Sequence, residues 1–355
     1  MVSRSGARAS LKDVARLAGV SPKTVSNVIH GYAHITDATR SRVQRALDEL
    51  NYRPNLSARH LRAGRSGVIA LAVPELGIPY FAELADSVIR AAGAHGWTVL
   101  IDQTDGLAER EQLVTAGIRD QLIDGLILSP LAMGREELRR RTDDTPLVLL
   151  GERIHDGPAD HVAIDNVAAA ATATAHLTGL GRRRIAAIGD QGDVGPGTAA
   201  LRLEGFARAL RHAGLAPDPR LVMPAASYHR RDGAEAMARL LDLEAPPDAV
   251  FCFNDLMAFG AMRAILSRGL RIPGDVAVVG FDDLEEGRFS TPTLTTIRPD
   301  KEQIARLAVS LLHQRLGSGR GQAPQELQAD FSLVVRESTT GNGWPGTAPG
   351  LPPAG

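Results

Sequence analysis

Between Leu11 and Ile29 the chain reads as two short helices meeting at a glycine, and no other stretch constrains its fold as tightly. Leu11, Val14, Ala15 and Ala18 fall at i, i+3, i+4 and i+7, so one stripe of the first helix is apolar. Ser10 stands where an N-cap belongs, and Asp13 three residues later completes a capping-box pattern. Gly19 permits the sharp bend. Ser21 is placed to cap the second helix, with Pro22 in its first turn, where a missing N–H costs nothing. Val25, Val28 and Ile29 then point inward, while Lys23 and Asn27, one turn apart, share the outer face. Such a pair is a helix-turn-helix, whose second helix can lie in a DNA major groove. The same pattern also fits an ordinary helical hairpin, so the rest of the chain has to arbitrate.

Charge is the first arbiter. The formal net charge of -1 hides 12 Lys/Arg against 4 Asp/Glu in residues 1–65, and 28 against 37 in the remainder. A basic head on an acidic body fits a polyanionic partner, although a solvated surface gives the same count. At 355 residues, 44% hydrophobic and 23% charged, the chain is long enough for two or three globular domains. No apolar run approaches a membrane span, and the N-terminus lacks a secretory core, so a cytoplasmic protein without membrane association is expected. The one cysteine, Cys252, excludes an internal disulfide and a cysteine-rich metal site. Within the run Ala249–Phe253 it reads as a buried, inert thiol.

A third helix is expected from the cap Thr36 to about Leu50, with Val43, Ala46, Leu47 and Leu50 inside. Residues 1–9 read as a disordered N-terminus, 10–53 as the helix-turn-helix domain and 54–66 as a linker holding one short hinge helix. That helix, capped by Asn55, is too short to stand alone in water and should form only against DNA or a second copy. From residue 67 to 338 apolar strands alternate with amphipathic helices, the pattern of α/β layers with parallel doubly wound sheets. Two such sets make a two-lobed body, with chain crossings expected near 166–181 and 282–300. Residues 339–355, increasingly rich in Gly and Pro, read as a disordered tail.

Several motifs then coincide. Asp13-Val14-Ala15, Gly19-Val20-Ser21, Thr24-Val25-Ser26, Asn51-Tyr52-Arg53-Pro54-Asn55 and Ala58-Arg59-His60-Leu61 occupy the head and linker. Pro79-Tyr80-Phe81, Asp165-Asn166, Arg202-Leu203-Glu204-Gly205-Phe206, Asn254-Asp255, Gly280-Phe281-Asp282-Asp283 and Leu294-Thr295-Thr296-Ile297 occupy the body. With these, the chain from about Ser10 to Ser338 resembles the lactose/galactose-repressor (LacI/GalR) family of transcription regulators. The resemblance implies a helix-turn-helix head on a two-lobed body similar to periplasmic sugar-binding proteins. It also implies a homodimer bound to a pseudo-palindromic operator in double-stranded DNA, under control of a small-molecule effector of carbohydrate type in the inter-lobe cleft.

Residue by residue, the resemblance places Pro22, Lys23 and Asn27 at base edges, Lys23 suited to guanine and Asn27 to adenine. Thr24 and Ser26 would hold phosphates, the bland alternative being capping and solvation. Leu61, flanked by Arg59 and Arg62, would be a minor-groove wedge paired with its mate at the dyad. Without the resemblance, packing of Leu61 against the body is the simpler reading. In the cleft, Arg202 and Asp282 would clamp ligand polar groups, with a core ion pair as the alternative for Arg202. Asn254 can donate and accept, which suits a vicinal diol. Tyr80 and Phe81 match the cleft edge, Tyr228 a stacking position, and Ser129, Glu152 and Thr198 further lining, whereas Asp283 and Asp255 read as loop and cap residues.

Two departures from the family pattern bear on the effector: Arg182 stands where a His is usual, and Glu152 sits in a Gly-Glu-Arg context. No leucine heptad follows residue 316, so a dimer rather than a tetramer is expected. A periplasmic-type sugar-binding protein without a regulatory role is the alternative that shares the body, but its signal peptide is missing. An enzyme is not expected. No Walker motif is present, Gly192-Asp193-Val194-Gly195-Pro196-Gly197 has the wrong order for a dinucleotide fingerprint, and no catalytic residue, cofactor or metal is indicated.

Overall fold

A computed structural model describes residues 9–29, 32, 34–52, 65–116, 122–192, 197–317 and 321–341. Residues 1–8 and 342–355, most of the expected hinge with Arg59 and Leu61, and Gly195 of the glycine-rich run lie outside them. The chain divides into two compact units, Met1–Gly67 and Val68–Gly355.

The first unit is built from α1 (Leu11–Ala18), α2 (Pro22–Ile29) and α3 (Asp37–Glu49). Ser10 Oγ accepts from Asp13 N at 3.3 Å, and the Asp13 carboxylate accepts from Ser10 N at 3.0 Å, closing the capping box. Gly19 turns the chain at φ +65°, a conformation glycine adopts without a Cβ penalty. Ser21 Oγ accepts from Thr24 N at 3.1 Å, and Thr36 caps α3 through Thr39 N at 3.4 Å. Val14, Ala15, Ala18, Val25, Val28, Val43, Ala46 and Leu47 form the core, with Leu11, Ile29, Leu50 and Tyr52 packed at its margin.

The second unit holds two six-stranded sheets. Its chain order is β1 (Val68–Val73), α4 (Pro79–Gly93), β2 (Thr98–Gln103), α5 (Ala108–Thr115), β3 (Gly125–Leu128), α6 (Arg135–Arg139), β4 (Leu147–Leu150) and β5 (Asp160–Ile164). Next come α7 (Asn166–Gly179), β6 (Ile185–Asp190), α8 (Thr198–His212), β7 (Val222–Pro224), α9 (Arg230–Leu241), β8 (Ala249–Cys252) and α10 (Asp255–Ser267). The remainder is β9 (Ala277–Phe281), α11 (Glu286–Phe289), β10 (Thr295–Pro299), α12 (Lys301–Leu316), β11 (Glu326–Ala329), β12 (Phe331–Val334) and α13 (Glu337–Thr340). The first sheet has the order β11-β5-β4-β3-β1-β2 and the second β12-β10-β9-β8-β6-β7. The first is parallel throughout, while β12 runs antiparallel to β10. Central strands such as β4 (Leu-Val-Leu-Leu) and β8 (Ala-Val-Phe-Cys) are apolar without alternation because both faces are covered.

Three crossings join the lobes, where two were expected. The first falls at Asp165, directly after β5. The second narrows to Asp300, because β9 and β10 both pair within the second sheet and residues 282–299 never leave that lobe. The third, at Asp330 between β11 and β12, had no counterpart in the sequence reading. The tail boundary is also corrected. Thr339, assigned to disorder, is 4% exposed, and its hydroxyl meets His176 Nε2 at 2.9 Å and Thr295 Oγ at 2.8 Å. Ser338 Oγ accepts from Thr295 N at 2.8 Å, so the second lobe needs α13 to satisfy buried polar groups of β10. Cys252 is fully buried, and burial pushes its thiol well up, as an inert core residue requires.

Candidate ligand cleft and recognition helix

In open parallel sheets, ligand sites form beyond the carboxyl ends of the strands. Here those ends meet between the lobes around a cavity of about 620 Å³. Glu75 follows β1, Ser129 follows β3 and Glu152 follows β4 on one side. Asn254 follows β8 and Asp282 follows β9 on the other, joined by Thr198 and Arg202 from the first turns of α8. Tyr80, Phe81, Ser129, Glu152, Thr198, Arg202, Tyr228, Asn254 and Asp282, all singled out in the sequence, line this one cavity. A more open depression of about 790 Å³ contains none of them. Among its charged groups Lys301 pairs with Glu83 at 2.7 Å and Arg288 with Asp283 at 3.2 Å.

Arg202 is 7% exposed and has no acidic partner among the described residues, which removes the core ion pair as its explanation. Its Nε donates to Asn166 Oδ1 at 2.7 Å, Nη1 donates to the Phe253 carbonyl, and the guanidinium lies 3.4 Å from the Phe281 ring centre. This fixes the fork while leaving Nη2 to the cavity. Gly205 makes the placement possible. A Cβ there would stand 2.2 Å from Val167 O, so only glycine lets α8 approach α7 closely enough to bring Arg202 onto Asn166.

Asp282 is the carboxyl counterpart. It is 6% exposed, and no donor meets its carboxylate oxygens among the described residues. Burial pushes it up to about 8, against the opposing pull of Arg202. Its backbone stands at φ +123°, held by Asp282 N to Ile297 O at 2.8 Å and by Lys301 Nζ donating to its carbonyl. A non-glycine residue in that region stores strain, here at the cavity wall.

Asn254 has a structural role beside the one expected of it. Its Oδ1 caps α10 by accepting from Met257 N at 2.9 Å, and its Nδ2 donates to Tyr228 O at 2.8 Å. An asparagine at a helix start serves its own backbone first. It therefore lines the cavity as a scaffold that positions Tyr228. Tyr228 in turn donates its hydroxyl to Gly189 O at 2.8 Å, presenting its ring rather than its phenol. Desolvation holds the phenols of Tyr80 and Tyr228 protonated well above their ordinary range. Asp255 is a buried anchor rather than a simple cap: it accepts from Thr296 Oγ at 2.6 Å and Leu284 N at 2.8 Å, and burial raises it to about 6.

Side-chain contacts also cross the cleft. Thr198 Oγ donates to Glu152 Oε2 at 2.9 Å, and His229 Nε2 lies 3.0 Å from Glu75 Oε2. Glu75 and His229 were not singled out in the sequence, since neither sits in a motif and 154 residues separate them. Asn166 was quoted only as a landmark. Its Oδ1 holds Arg202, and its Nδ2 is a buried side-chain nitrogen without a partner among the described residues.

In the head, Pro22 and Lys23 are exposed on α2, while Thr24, Ser26 and Asn27 are half-buried. The Thr24 hydroxyl lies 2.9 Å from Ser21 Oγ, so part of its capacity serves the cap.

Residues 10–55 match the family described as bacterial regulatory proteins, lacI family, and residues 174–339 match the periplasmic binding protein-like domain. The ribose operon repressor of Escherichia coli (strain K12) is 34% identical over 333 residues, 93% of this chain and 99% of that protein. The lac repressor dimer bound to operator and the anti-inducer ONPF has a TM-score of 0.79 at 28% identity, covering 94% of this chain and 99% of that one. The transcriptional regulator CelR in its cellobiose complex has a TM-score of 0.68 at 32% identity, covering 93% and 100%.

A helix-turn-helix head on a two-lobed, cleft-bearing body defines a ligand-controlled DNA-binding regulator. The chain belongs to the LacI family and is a DNA-binding transcriptional repressor with a small-molecule effector. No helix among the described residues is long and apolar enough to cross a membrane.

Proposed function

We propose that this repressor binds a pseudo-palindromic operator as a cytoplasmic homodimer and is controlled by a carbohydrate held between Arg202 and Asp282. The carrying observation is that pair: a buried donor fork and a buried carboxyl, each lacking a protein partner at its cavity-facing atoms, in one cleft walled by Tyr80, Phe81 and Tyr228. A polyhydroxylated ring answers both polar groups and stacks on the aromatic faces. Ser129, Glu152 and Thr198 supply further polar lining. The cellobiose complex of CelR and the name of the ribose operon repressor support a sugar. Exposed Ile89 on α4 and Leu100 and Ile101 on edge strand β2 supply apolar area for a second copy. The function needs no catalytic residue.

Pro22, Lys23 and Asn27 are assigned to base edges and Thr24 and Ser26 to phosphates. Arg59 and Leu61 are assigned to the minor groove on the family resemblance alone. Effector and operator affinities are then reciprocally linked through the lobes, typically by about 1–3 kcal/mol. A thermal-shift screen of ribose, cellobiose and related sugars tests the cleft. The melting point should climb with ligand concentration for at least one of them, and a flat response to the whole series overturns the carbohydrate assignment.

A further inference from the structure

A second cluster of ligating side chains lies away from the cleft, at the β4–β5–β11 side of the first sheet. His161 on β5 and Glu326 on β11 are direct register partners, and His155 lies in the segment leading into β5. One ligand atom from each of the three lies within 4.8 Å of the others. The His155 and His161 rings meet edge to face, with centres 4.9 Å apart at 88°.

Hydrogen-bond accounting at His161 calls for a positive charge beside its ring. Its Nε2 meets the Gly151 carbonyl oxygen and its Nδ1 meets Glu326 Oε2. Both neighbours are acceptors, whereas a neutral imidazole offers a single N–H. Given to Gly151, that N–H leaves an Nδ1 lone pair facing a carboxylate oxygen, an arrangement that calls for a positive charge on that side. One ring nitrogen donating to a backbone carbonyl is also how metal-ligating histidines are oriented. Glu326 is aimed as well: its Oε1 accepts from Asp156 N at 2.9 Å, which turns Oε2 toward the histidines.

We propose that His155, His161 and Glu326 form a binding site for a borderline divalent ion of the zinc, cobalt or nickel class, with His161 ligating through Nδ1 and water completing the shell. Two imidazoles and one carboxylate with an open position make a zinc-type donor set. Ligand atoms around tetrahedral zinc stand about 3.3 Å apart. The exposed His155 can move in to that spacing and the Glu326 side chain, 39% exposed, can draw Oε2 back from Nδ1 to it, while His161, at 2%, is the fixed point. Gly151 immediately precedes Glu152, so a bound ion steadies the same β4–β5 segment that carries Glu152 to the cleft wall. No local motif announced the site, because Glu326 joins it from 165 residues downstream.

The test uses untagged full-length protein stripped with a chelator and then titrated with Zn²⁺ in a calorimeter. Binding of one ion per chain is expected, weakened at least about tenfold in both His155→Ala and Glu326→Gln. Both variants should melt close to the unaltered protein in chelator. X-ray absorption at the zinc edge of the unaltered protein should show imidazole and oxygen ligation without sulfur, a readout independent of how the variants fold. No binding above the control, or equal affinity in all three proteins, overturns the site.

Discussion

Thr198 and Glu152 belong to different lobes, yet the Thr198 hydroxyl donates to the Glu152 carboxylate at 2.9 Å. The bond therefore exists only while the cleft is narrow, and with Glu75–His229 it tethers the lobes across the ligand cavity. A hydrogen bond of this kind contributes about 1 kcal/mol, and the more exposed Glu75–His229 contact less. Thr198→Val should shift the lobes toward the open form and weaken a cleft sugar about fivefold by calorimetry. Unchanged affinity would mean that the bond does not discriminate between lobe positions.

Asp282 gives the protein a pH dependence of definite sign. Burial holds it at about 8 against an ordinary 3.8, so between those values the folded state keeps a proton that the unfolded chain has released. Its share of stability is therefore full in acid and declines as pH rises from about 4 to 8, by as much as about 1.4 kcal/mol per pH unit. Asp282→Asn removes this dependence. The variant should gain melting temperature over the unaltered protein progressively from pH 5 to pH 8, while losing its response to sugar. Parallel melting curves across that range would contradict the assignment.

Much of this was legible in the sequence, for identifiable reasons. The caps at Ser10, Ser21 and Thr36 and the turn at Gly19 are local devices, written within four residues, and each is made as expected. Strands β1, β3, β4, β8 and β9 announce themselves as apolar runs because both faces are covered. Five strands do not announce themselves in this way, β5, β7, β10, β11 and β12; all are short, and β5 and β11 carry Asp160, His161 and Glu326, whose partners are remote. Asp160, for instance, is 1% exposed only because Arg315, 155 residues later, holds both its oxygens. Residue types at the cleft were readable from family motifs, but the commitment of Asn254 to its own helix and to Tyr228 depends on the fold.

Gly205 offers a test of the α7–α8 packing. Alanine usually stabilises a helix interior by about 1 kcal/mol over glycine. Here a Cβ would meet Val167 O at 2.2 Å and the Ala170 Cβ at 2.9 Å, so backbone must move. Gly205→Ala should therefore destabilise the body by about 1–3 kcal/mol in urea unfolding. It should also weaken sugar binding, because separating the helices draws Arg202 off Asn166. A stabilised variant would refute the close approach.

Lys23 stands exposed on α2, one turn before Asn27, where a long donor can reach a guanine edge. Lys23→Ala should cost about 1–3 kcal/mol in operator affinity and relax preference at one base position. Selection from a randomised operator pool reads both effects. Retention of the full base preference would remove Lys23 from the reading residues and leave it a phosphate contact.

Arg202 separates the two activities most cleanly, because it lies in the body and the residues proposed to read DNA lie in the head. Its fork is fixed by Asn166, by the Phe253 carbonyl and by the Phe281 face. A lysine carries the charge but cannot hold those planar contacts together. Arg202→Lys and Arg202→Ala should therefore both weaken the sugar by about 100-fold, the equivalent of a charged hydrogen-bond pair worth about 3 kcal/mol. Operator binding without sugar should stay within about twofold of the unaltered protein. Titrating sugar into an operator–repressor complex, followed by fluorescence anisotropy, reads both quantities at once. A normal effector response in Arg202→Ala would show that the cleft ligand is held elsewhere, and a matching loss of operator affinity would show that Arg202 supports the fold rather than the effector.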